Sequence, residues 1–407
     1  MTAAVRSGAA LRRSRVAVSL VFFVHGVVFA SWAARVPEIR DSLHLSSGVL
    51  GLVLAAPGLG ALVGSQLGGL LVNRIGSRTT SALAPLLLCV PLALIPTADT
   101  VWSLFALLLL LGAGDGATSV AMSAQSVAVQ DVYGRPIINA MHATRSLGAV
   151  AGSLGGALTV SWGLSTQFVS AATFAAVLSG AAAFGLLPDC ARPARETETP
   201  CCPSGSTGRR AIVLLAAMAF LASLVEDAPA SWGGVYLRSS GAGPAMAASA
   251  YAALSAGEVV GRLVNDRFVA RTGWVRVIRS GTLACTLALA LALSLGRPGA
   301  MLAALVVAGV GISAVFPGAY ATAGTLPGPV TAMAQVSFAG NAGWLLVSPV
   351  VGGLATLMGL RAALALLPFA AVAIAALAGV TRQAGHSMAL APVDVLAVPP
   401  PNSPGQP

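Results

Sequence analysis

A short basic segment joins two long apolar runs near residue 70: Gly69-Leu70-Leu71-Val72-Asn73-Arg74-Ile75-Gly76-Ser77-Arg78. The apolar runs on its two sides lie near 47–72 and 79–97. Each is long enough for an α-helix that crosses a bilayer, which needs about 20 mostly apolar residues. Two such runs with so short a polar connection predict a pair of neighbouring membrane-spanning helices.

The composition of the chain predicts that lipid surrounds most of it. Hydrophobic residues make up 56% of the 407 residues and charged residues 9%, and the mean hydropathy is +0.85. Soluble domains carry about 25% charged residues, so a surface this poor in charge requires a membrane. The net charge of +10 does not indicate a nucleic-acid partner, because the arginines lie in short loops between apolar runs.

Twelve apolar runs recur along the chain, and we number them spans 1 to 12 in chain order. They lie near 16–34, 47–72, 79–97, 101–123, 140–162, 166–187, 211–235, 245–265, 275–295, 298–322, 331–356 and 361–381. We expect an all-α membrane protein with an N-terminal six-helix half (1–187), a cytoplasmic linker (188–210), a C-terminal six-helix half (211–382) and a disordered cytoplasmic tail (383–407). The basic N-terminus resembles a signal peptide, but no small-residue cleavage site follows it, which favours a retained first helix.

The distribution of arginine predicts the orientation in the membrane. One set of loops, with both termini and the linker, holds 16 arginines: Arg6, Arg12, Arg13, Arg15, Arg74, Arg78, Arg135, Arg192, Arg195, Arg209, Arg210, Arg267, Arg271, Arg276, Arg279 and Arg382. The opposite loops hold five: Arg35, Arg40, Arg238, Arg297 and Arg361. Because basic loops stay in the cytoplasm, we expect a multi-pass protein of the bacterial plasma membrane with both termini cytoplasmic.

The two halves of the sequence resemble each other at an offset of about 195 residues. Span 4 contains Gly112-Ala113-Gly114-Asp115, and span 10 contains Gly309-Val310-Gly311-Ile312. Span 5 contains Ala151-Gly152-Ser153-Leu154-Gly155-Gly156, and span 11 contains Ser348-Pro349-Val350-Val351-Gly352-Gly353. After span 2 comes Gly69-x3-Asn73-Arg74, which we match to Gly261-x4-Asp266-Arg267 after span 8. Parallel repeats of this kind predict a substrate site near the bilayer midplane between the halves.

The segment Gly69–Arg78 resembles the cytoplasmic loop signature of the major facilitator superfamily, Gly-x-Leu-x-Asp-Arg-x-Gly-x-basic. Asn73 stands where the family has Asp. The resemblance implies the major facilitator fold, transport by alternating access, and loop contacts that stabilise the outward-facing state. It assigns a cytoplasmic gating motif, with a counterpart in the second half: Gly69, Asn73, Arg74, Gly76, Arg78, Asp266 and Arg267.

A narrower resemblance covers nearly the whole chain. Met122-Ser123-Ala124-Gln125, Tyr133-Gly134-Arg135-Pro136, Met141-His142 and Glu226-x5-Trp232-x3-Tyr236-Leu237 resemble the YbjJ-type bacterial branch of that superfamily. This branch is distantly similar to fucose permease-like transporters, which makes sugars candidate substrates. Many proton-coupled drug exporters carry Arg in span 4 about where this chain has Leu108, which weakens a drug-export interpretation.

Ionisable and aromatic side chains inside the spans are candidates for the substrate cavity, because a charge in a membrane is costly and usually faces the bundle interior or water. We assign to the cavity His25, Trp32, Asp115, Ser119, His142, Arg145, Glu226, Asn341 and Trp344. His25 shares a helix face with Phe22, Phe29 and Trp32, which indicates an aromatic cavity wall. The alternative is a histidine bonded to a neighbouring helix.

Three acids are candidates for proton coupling: Asp115, Glu226 and Glu258. Asp115 lies between two glycines in span 4 and could instead form an ion pair with Arg145. Glu226 and Asp227 are consecutive, so their side chains point about 100° apart, and we expect Glu226 to face the cavity. Glu258 and Arg262 are four residues apart and are expected to pair with each other.

No motif indicates an enzyme or a bound cofactor. The chain has no lysine and therefore no phosphate-binding Gly-x4-Gly-Lys motif, and we expect no metal site and no cofactor. The leading hypothesis is a monomeric secondary transporter whose partners are a small polar or amphipathic solute, protons and the lipid bilayer. The alternatives are an exporter that works by proton antiport and, in another class, a sensor or scaffold with a transporter fold that does not cycle.

Overall fold

The computed structural model describes residues 8–133, 137–188, 206–327 and 329–382, and within these ranges the regular structure is entirely helical. Ten helical segments are long and apolar enough to cross a membrane. Two further helices, Ile138–Leu158 with 21 residues and Ala250–Thr272 with 23, carry more polar groups and complete the twelve predicted spans. The all-α fold predicted from the apolar runs is therefore confirmed.

Each predicted span corresponds to one helix or to a helix with an interruption. Spans 1 to 6 are Gly8–Ala33, Ser47–Val53 with Ala56–Ile75, Ser77–Leu94, Val101–Tyr133, Ile138–Leu158 and Leu164–Ala183. Spans 7 to 12 are Ser206–Ala228 with Gly234–Ser239, Ala250–Thr272, Trp274–Leu295, Pro298–Ile312 with Val315–Ala323, Pro329–Met358 and Leu366–Leu377. Short helices at Val36–Ser42, Pro244–Ala248 and Leu360–Ala363 connect some of them.

Span 7 contains a π-helical turn, Pro229–Gly233, immediately after its acidic pair. Proline lacks the backbone N–H that an α-helix needs at that position, and π-helical turns inside α-helices frequently lie at functional sites. The helix of span 7 begins at Ser206, so it includes the last residues of the segment expected to be a linker. Residues 189–205 and the predicted tail 383–407 lie outside the described residues.

The internal repeat is visible in the backbone of the turns between spans. Gly76 and Gly273 end spans 2 and 8 with φ of +88° and +80°, and Gly163 and Gly359 precede spans 6 and 12 with φ of +78° and +83°. Glycine occupies these positions because other residues are strained at positive φ. The pairs are 197 and 196 residues apart by their numbers, which refines the expected offset.

The refined offset corrects one match made from the sequence. Gly76 and Gly273 are equivalent, so Arg74 corresponds to Arg271, four residues beyond Arg267, with which the dipeptide match aligns it. The physical reason is that a turn geometry fixes the register, whereas a similar dipeptide on a continuous helix does not. Asp266-Arg267 lies within the helix of span 8, one turn before its end.

Close helix packing repeats in the two halves as well. A methyl group on Gly60 would lie 2.0 Å from the carbonyl oxygen of Leu109, and one on Gly257 would lie 2.1 Å from that of Val306. Both members of the second pair follow the first by 197 residues. Glycines that let helix backbones meet are the usual means of tight packing in membranes. Spans 2 and 4 therefore pack as spans 8 and 10 do.

Candidate functional site

The two halves meet along two seams, which place the cavity. Span 1 begins, and spans 6 and 12 end, at the same end of the helix bundle. We call this the terminal end and the opposite one the distal end. In the first seam Gly51 of span 2 packs on the backbone of Ser348 and Gly352 in span 11, and Gly58 packs on Leu345. In the second, Ser153 and Ser146 of span 5 contact span 8.

Towards the terminal end from both seams, exposed side chains on spans 5 and 11 indicate a cavity between the halves. One helical turn beyond the contact at Ser146, His142 is exposed on the same face of span 5. One turn beyond the contact at Leu345, Asn341 is exposed on span 11. The contacts we describe between the halves lie at the distal end and in the middle, so this conformation is closed distally and open at the terminal end.

A network of charged side chains occupies the middle of the second seam. The Nη1 atom of Arg262 lies 3.0 Å from Glu258 Oε2, and its Nη2 lies 3.6 Å from Glu226 Oε1. Glu258 is only 3% exposed. The hydroxyl of Ser146 donates to Glu258 at 3.3 Å and accepts a hydrogen bond from Arg262. We call Glu226, Glu258, Arg262 and Ser146 the charge network.

The charge network confirms the expected pairing of Glu258 with Arg262 and extends it. Arg262 is shared with Glu226 of span 7, and Ser146 carries the network across to the other half. Neither contact was predicted, because spacing along one helix shows which residues share a face but not what that face meets. Glu226 is half-buried, as expected of a residue at the cavity.

Asp115 has a different partner from the one we had considered. Its Oδ1 lies 2.7 Å from Nε2 of His25. His25 is 5% exposed, so its assignment to the cavity wall is wrong and the alternative, a histidine held by a neighbouring helix, is what the structure has. The reason is that this face of span 1 is covered by span 4.

Arg145 is half-buried in span 5, and its guanidinium makes no ion pair or hydrogen bond with another described residue. The carboxyl groups of Glu226, Glu258 and Asp115 lie near enough to stabilise its positive charge without contacting it. Its backbone packs against span 1, where a methyl group on Gly26 would lie 2.0 Å from the Arg145 carbonyl oxygen. The side chain is thus a cation held at the cavity without a partner.

Aromatic rings from three spans meet beside these charges. Phe29 lies 6.3 Å from Tyr251 and 6.2 Å from Trp344 between ring centroids, and all three side chains are half-buried. Trp32 stands behind Phe29 at 5.7 Å but is only 2% exposed, so it supports the wall and does not line the cavity as we had expected. Tyr251 was missed, although it precedes Glu258 by two helical turns on the same face of span 8.

The remaining candidates are distributed over the cavity and the terminal end. Ser119 is half-buried, and its carbonyl accepts the hydroxyl of Ser123 within span 4. In the gating motif, Asn73, Arg74 and Arg78 are exposed at the terminal end, and Gly76 adopts the positive φ given above. Arg267 is also exposed, and the side chain of Asp266 lies outside the described set.

Comparison with known proteins decides the family. Residues 18–348 match the family model described as Major Facilitator Superfamily. The chain belongs to the Major Facilitator Superfamily (MFS). It is therefore a multi-pass membrane protein of a transporter family, which confirms the resemblance seen in the loop after span 2.

Three relatives are similar along most of their length. An uncharacterised MFS-type transporter of Yersinia pestis is 29% identical over 90% of this chain and 96% of its own. An uncharacterised transporter of Sinorhizobium fredii is 30% identical over 75% of this chain and 81% of its own. The membrane protein MosC of Rhizobium meliloti is 26% identical over 86% of this chain and 85% of its own.

Solved structures share the fold of this MFS chain. The nucleoside transporter NupG superposes with a TM-score of 0.69 at 16% identity, over 90% of this chain and 99% of that one. A bacterial homologue of the human lysosomal transporter Spinster, in an inward-facing and unoccupied conformation, superposes with a TM-score of 0.64 at 13% identity, over 94% and 98%. At these identities the likeness extends to the fold alone.

Proposed function

We propose that this MFS protein is a secondary active transporter that moves a small polar or amphipathic solute by alternating access, coupled to protons. The observation that carries the proposal is the charge network. It places two carboxylates and one shared arginine at the boundary between the halves, beside an open cavity. Ionisable residues inside a membrane bundle are the usual constituents of proton relays.

The geometry indicates how a proton would change the balance between conformations. Arg262 serves Glu226 and Glu258 together, and Ser146 of the other half depends on both Arg262 and Glu258 for its hydrogen bonds. A proton on either carboxylate removes one negative charge from Arg262 and weakens the contact with Ser146. We infer that protonation loosens the second seam, whereas Asp115, whose partner His25 lies in the same half, has less direct influence on it.

The direction of opening follows from the orientation, which is also a proposal. The arginine distribution places the terminal end, the linker and both termini in the cytoplasm of a bacterium, so the conformation described here would be inward-facing. Reporter fusions after Arg210 and after Arg382 test this orientation. Cytoplasmic reporter activity is expected at both points, and periplasmic activity at either would contradict the twelve-span topology.

Proton coupling can be tested before a substrate is known. The five native cysteines are replaced by serine, and a thiol reagent then measures the accessibility of one introduced cysteine at a time. Asn341→Cys reports the open terminal side, and Ser348→Cys reports the first seam, which is closed at the distal end. As pH falls through the range in which the carboxylates take up protons, we expect labelling to fall at 341 and rise at 348. Glu226→Gln and Glu258→Gln should each reduce this pH dependence and resemble the low-pH protein.

The matched control is Asp99→Asn, since Asp99 is an exposed acid outside the cavity. It should leave the pH dependence of labelling unchanged. If both glutamine variants also retain the full pH dependence, neither acid carries the coupling proton. If labelling at 341 and 348 never shifts under any condition, the protein does not cycle and the sensor alternative replaces the transporter.

A further inference from the structure

Two ionisable side chains in the centre of the molecule, Arg145 and Asp227, take part in none of the ion pairs between described residues. Asp115 is taken by His25, and Arg262 serves Glu226 and Glu258. Arg145 and Asp227 are both half-buried, and among the described residues neither has an ion-pair partner. An unpaired charge in a membrane bundle is costly and marks a site of function.

The two unpaired ionisable side chains come from opposite halves. Arg145 belongs to span 5 and packs beside span 1 one turn before Phe29. Asp227 follows Ser223 by one turn, and the Ser223 hydroxyl donates to the Gly340 carbonyl at 2.8 Å, so Asp227 lies on the face of span 7 that packs on span 11. A methyl group on Gly343, next to Trp344, would lie 2.9 Å from the β-carbon of Ser223.

The three half-buried rings of Phe29, Tyr251 and Trp344 occupy the same region. Phe29 is near Arg145 along span 1, Trp344 is near the Asp227 face of span 7, and Phe29 contacts both Trp344 and Tyr251. The cavity thus offers a guanidinium from one half and a carboxyl group from the other, with flat apolar surfaces beside them. Such a set of groups fits a ligand that carries both signs of charge and a ring.

We propose that this cavity binds a small zwitterion with a planar or apolar ring. Its anionic group pairs with the forked donors of Arg145, which suit a carboxylate or phosphate. Its cationic group pairs with Asp227, and its ring stacks on the aromatic wall. A zwitterion satisfies both leftover charges without adding net charge to the middle of the membrane, and it ties the two halves together. The inference rests on the proposed transport function for its biological meaning, but binding alone tests it.

A matched series of indole compounds separates the contributions. L-Tryptophan carries both charges, indole-3-propionate lacks the ammonium, tryptamine lacks the carboxylate, and indole-3-ethanol lacks both. Binding to the full-length protein in nanodiscs is measured by calorimetry at constant pH without a gradient. We expect tryptophan to bind at least tenfold more tightly than either singly charged compound, and indole-3-ethanol to bind most weakly.

Two variants assign the charges to their partners. Arg145→Gln should reduce the affinity for tryptophan to that for tryptamine, and Asp227→Asn should reduce it to that for indole-3-propionate. Arg145→Lys and Asp227→Glu should keep part of the preference, and Arg238→Gln, at an exposed distal arginine, should keep all of it. The melting temperature of each unliganded variant shows that it is folded.

The outcomes distinguish this inference from the proposed function. If tryptophan binds no better than the singly charged or neutral compounds, or if neither tryptophan, phenylalanine nor histidine binds, the zwitterion site is wrong. The same conclusion follows if folded Arg145→Gln and Asp227→Asn leave the order of affinities unchanged. If the protein binds charge-selectively but its labelling at 341 and 348 is independent of pH, the site is supported and proton coupling is wrong. If the labelling depends on pH but binding is not charge-selective, proton coupling is supported and the zwitterion site is wrong.

Discussion

The two seams between the halves are built at equivalent positions from different chemistry. A shift of 197 residues carries Gly51 of the first seam onto Ala248 of the second, and Gly155 onto Gly352. In the first seam, backbones of spans 2 and 11 touch through Gly51 and Gly352. In the second, side chains of spans 5 and 8 meet through hydroxyls and charges. One seam is therefore built from close backbone packing, and the other also contains ionisable side chains, which is why we propose that only the second seam responds to protons.

This difference also explains the hydropathy of the spans. Spans 5 and 8 are the two helices that fall outside the ten that are apolar enough to cross a membrane by composition. They contain Arg145 and three of the four members of the charge network, Ser146, Glu258 and Arg262, and they pack against each other along these polar faces. A span that buries polar groups against another span does not need the hydrophobicity that a lipid-facing span needs.

The largest expected effect comes from a side chain in the shape-dependent seam. A methyl group on Gly51 would approach the Ser348 carbonyl oxygen to 2.7 Å and the Gly352 α-carbon to 3.0 Å. Both are backbone atoms, so Gly51→Val should force the distal end apart. Overpacking typically costs about 1–3 kcal/mol, and 1.4 kcal/mol is a factor of ten, so labelling of Ser348→Cys should rise about 5- to 140-fold at every pH.

The matched control for this prediction is Gly353→Val. A methyl group on Gly353, the next residue after Gly352, meets nothing within 4 Å. It should leave labelling at 348 near that of the parent protein. Equal labelling in the Gly51→Val and Gly353→Val proteins would show that the first seam does not hold the distal end closed.

The second prediction removes the cation of the charge network. Arg262→Gln leaves Glu258, which is 3% exposed, without its partner. Breaking a buried ion pair typically costs about 3–5 kcal/mol when the remaining charge stays, so Glu258 should take up a proton instead. We expect the variant to label as the parent does at low pH, with little further change on acidification, and to melt at a lower temperature.

The double variant Glu258→Gln/Arg262→Gln tests the cause of that effect. It removes the stranded charge, so the melting temperature should recover in part while the pH dependence of labelling stays low. If Arg262→Gln keeps the pH dependence of the parent, the second seam does not respond to protonation, and the contrast between the seams is one of composition only.

The sequence predicted the architecture well because lipid imposes a simple rule on it. Span number and the repeat follow from apolar length and glycine spacing, both of which are local. The partners across helices did not follow. Asp115 meets His25 and not Arg145, and Tyr251 faces Phe29, because rotation and depth of each span are fixed by packing. His25 and Trp32 showed a polar or aromatic character that fits a cavity, but neighbouring spans cover them.

The third prediction concerns the hydrogen bonds of the second seam that carry no charge. The Ser153 hydroxyl accepts from the Ala252 N–H at 3.0 Å and donates to the Ala248 carbonyl at 2.8 Å. Ala252 lies in the first turn of span 8, where backbone N–H groups lack partners within the helix. Ser153→Ala removes this capping contact, which is typically worth about 1 kcal/mol, so labelling at 348 should rise several-fold with its pH dependence intact.

The control for this prediction is Ser170→Ala, because among the described residues the Ser170 hydroxyl bonds to the Gln167 carbonyl of its own helix and to no other helix. It should not change labelling at either reporter. A Ser153→Ala protein that instead loses its pH dependence would place this serine in the charge network and blur the division between the two kinds of contact in the second seam.

The smallest effect in this conformation is expected at the terminal end, where the seams are already apart. Arg74 is exposed and can contribute to the loop contacts of the family only when the terminal end closes. Arg74→Ala should therefore leave the open conformation and the melting temperature unchanged. It should destabilise the terminally closed state, so that acidification no longer lowers labelling of Asn341→Cys as far. A coupling of roughly 1–3 kcal/mol is typical of two-state elements, and Arg271→Ala, at the exposed equivalent position, is the matched comparison.

If Arg74→Ala and Arg271→Ala behave as the parent does at low pH, the loop after span 2 does not stabilise the closed terminal end, and the two seams alone set the balance. If only Arg271→Ala has an effect, the gating contact belongs to the second half, and the resemblance of Gly69–Arg78 to the family signature reflects the fold without the latch.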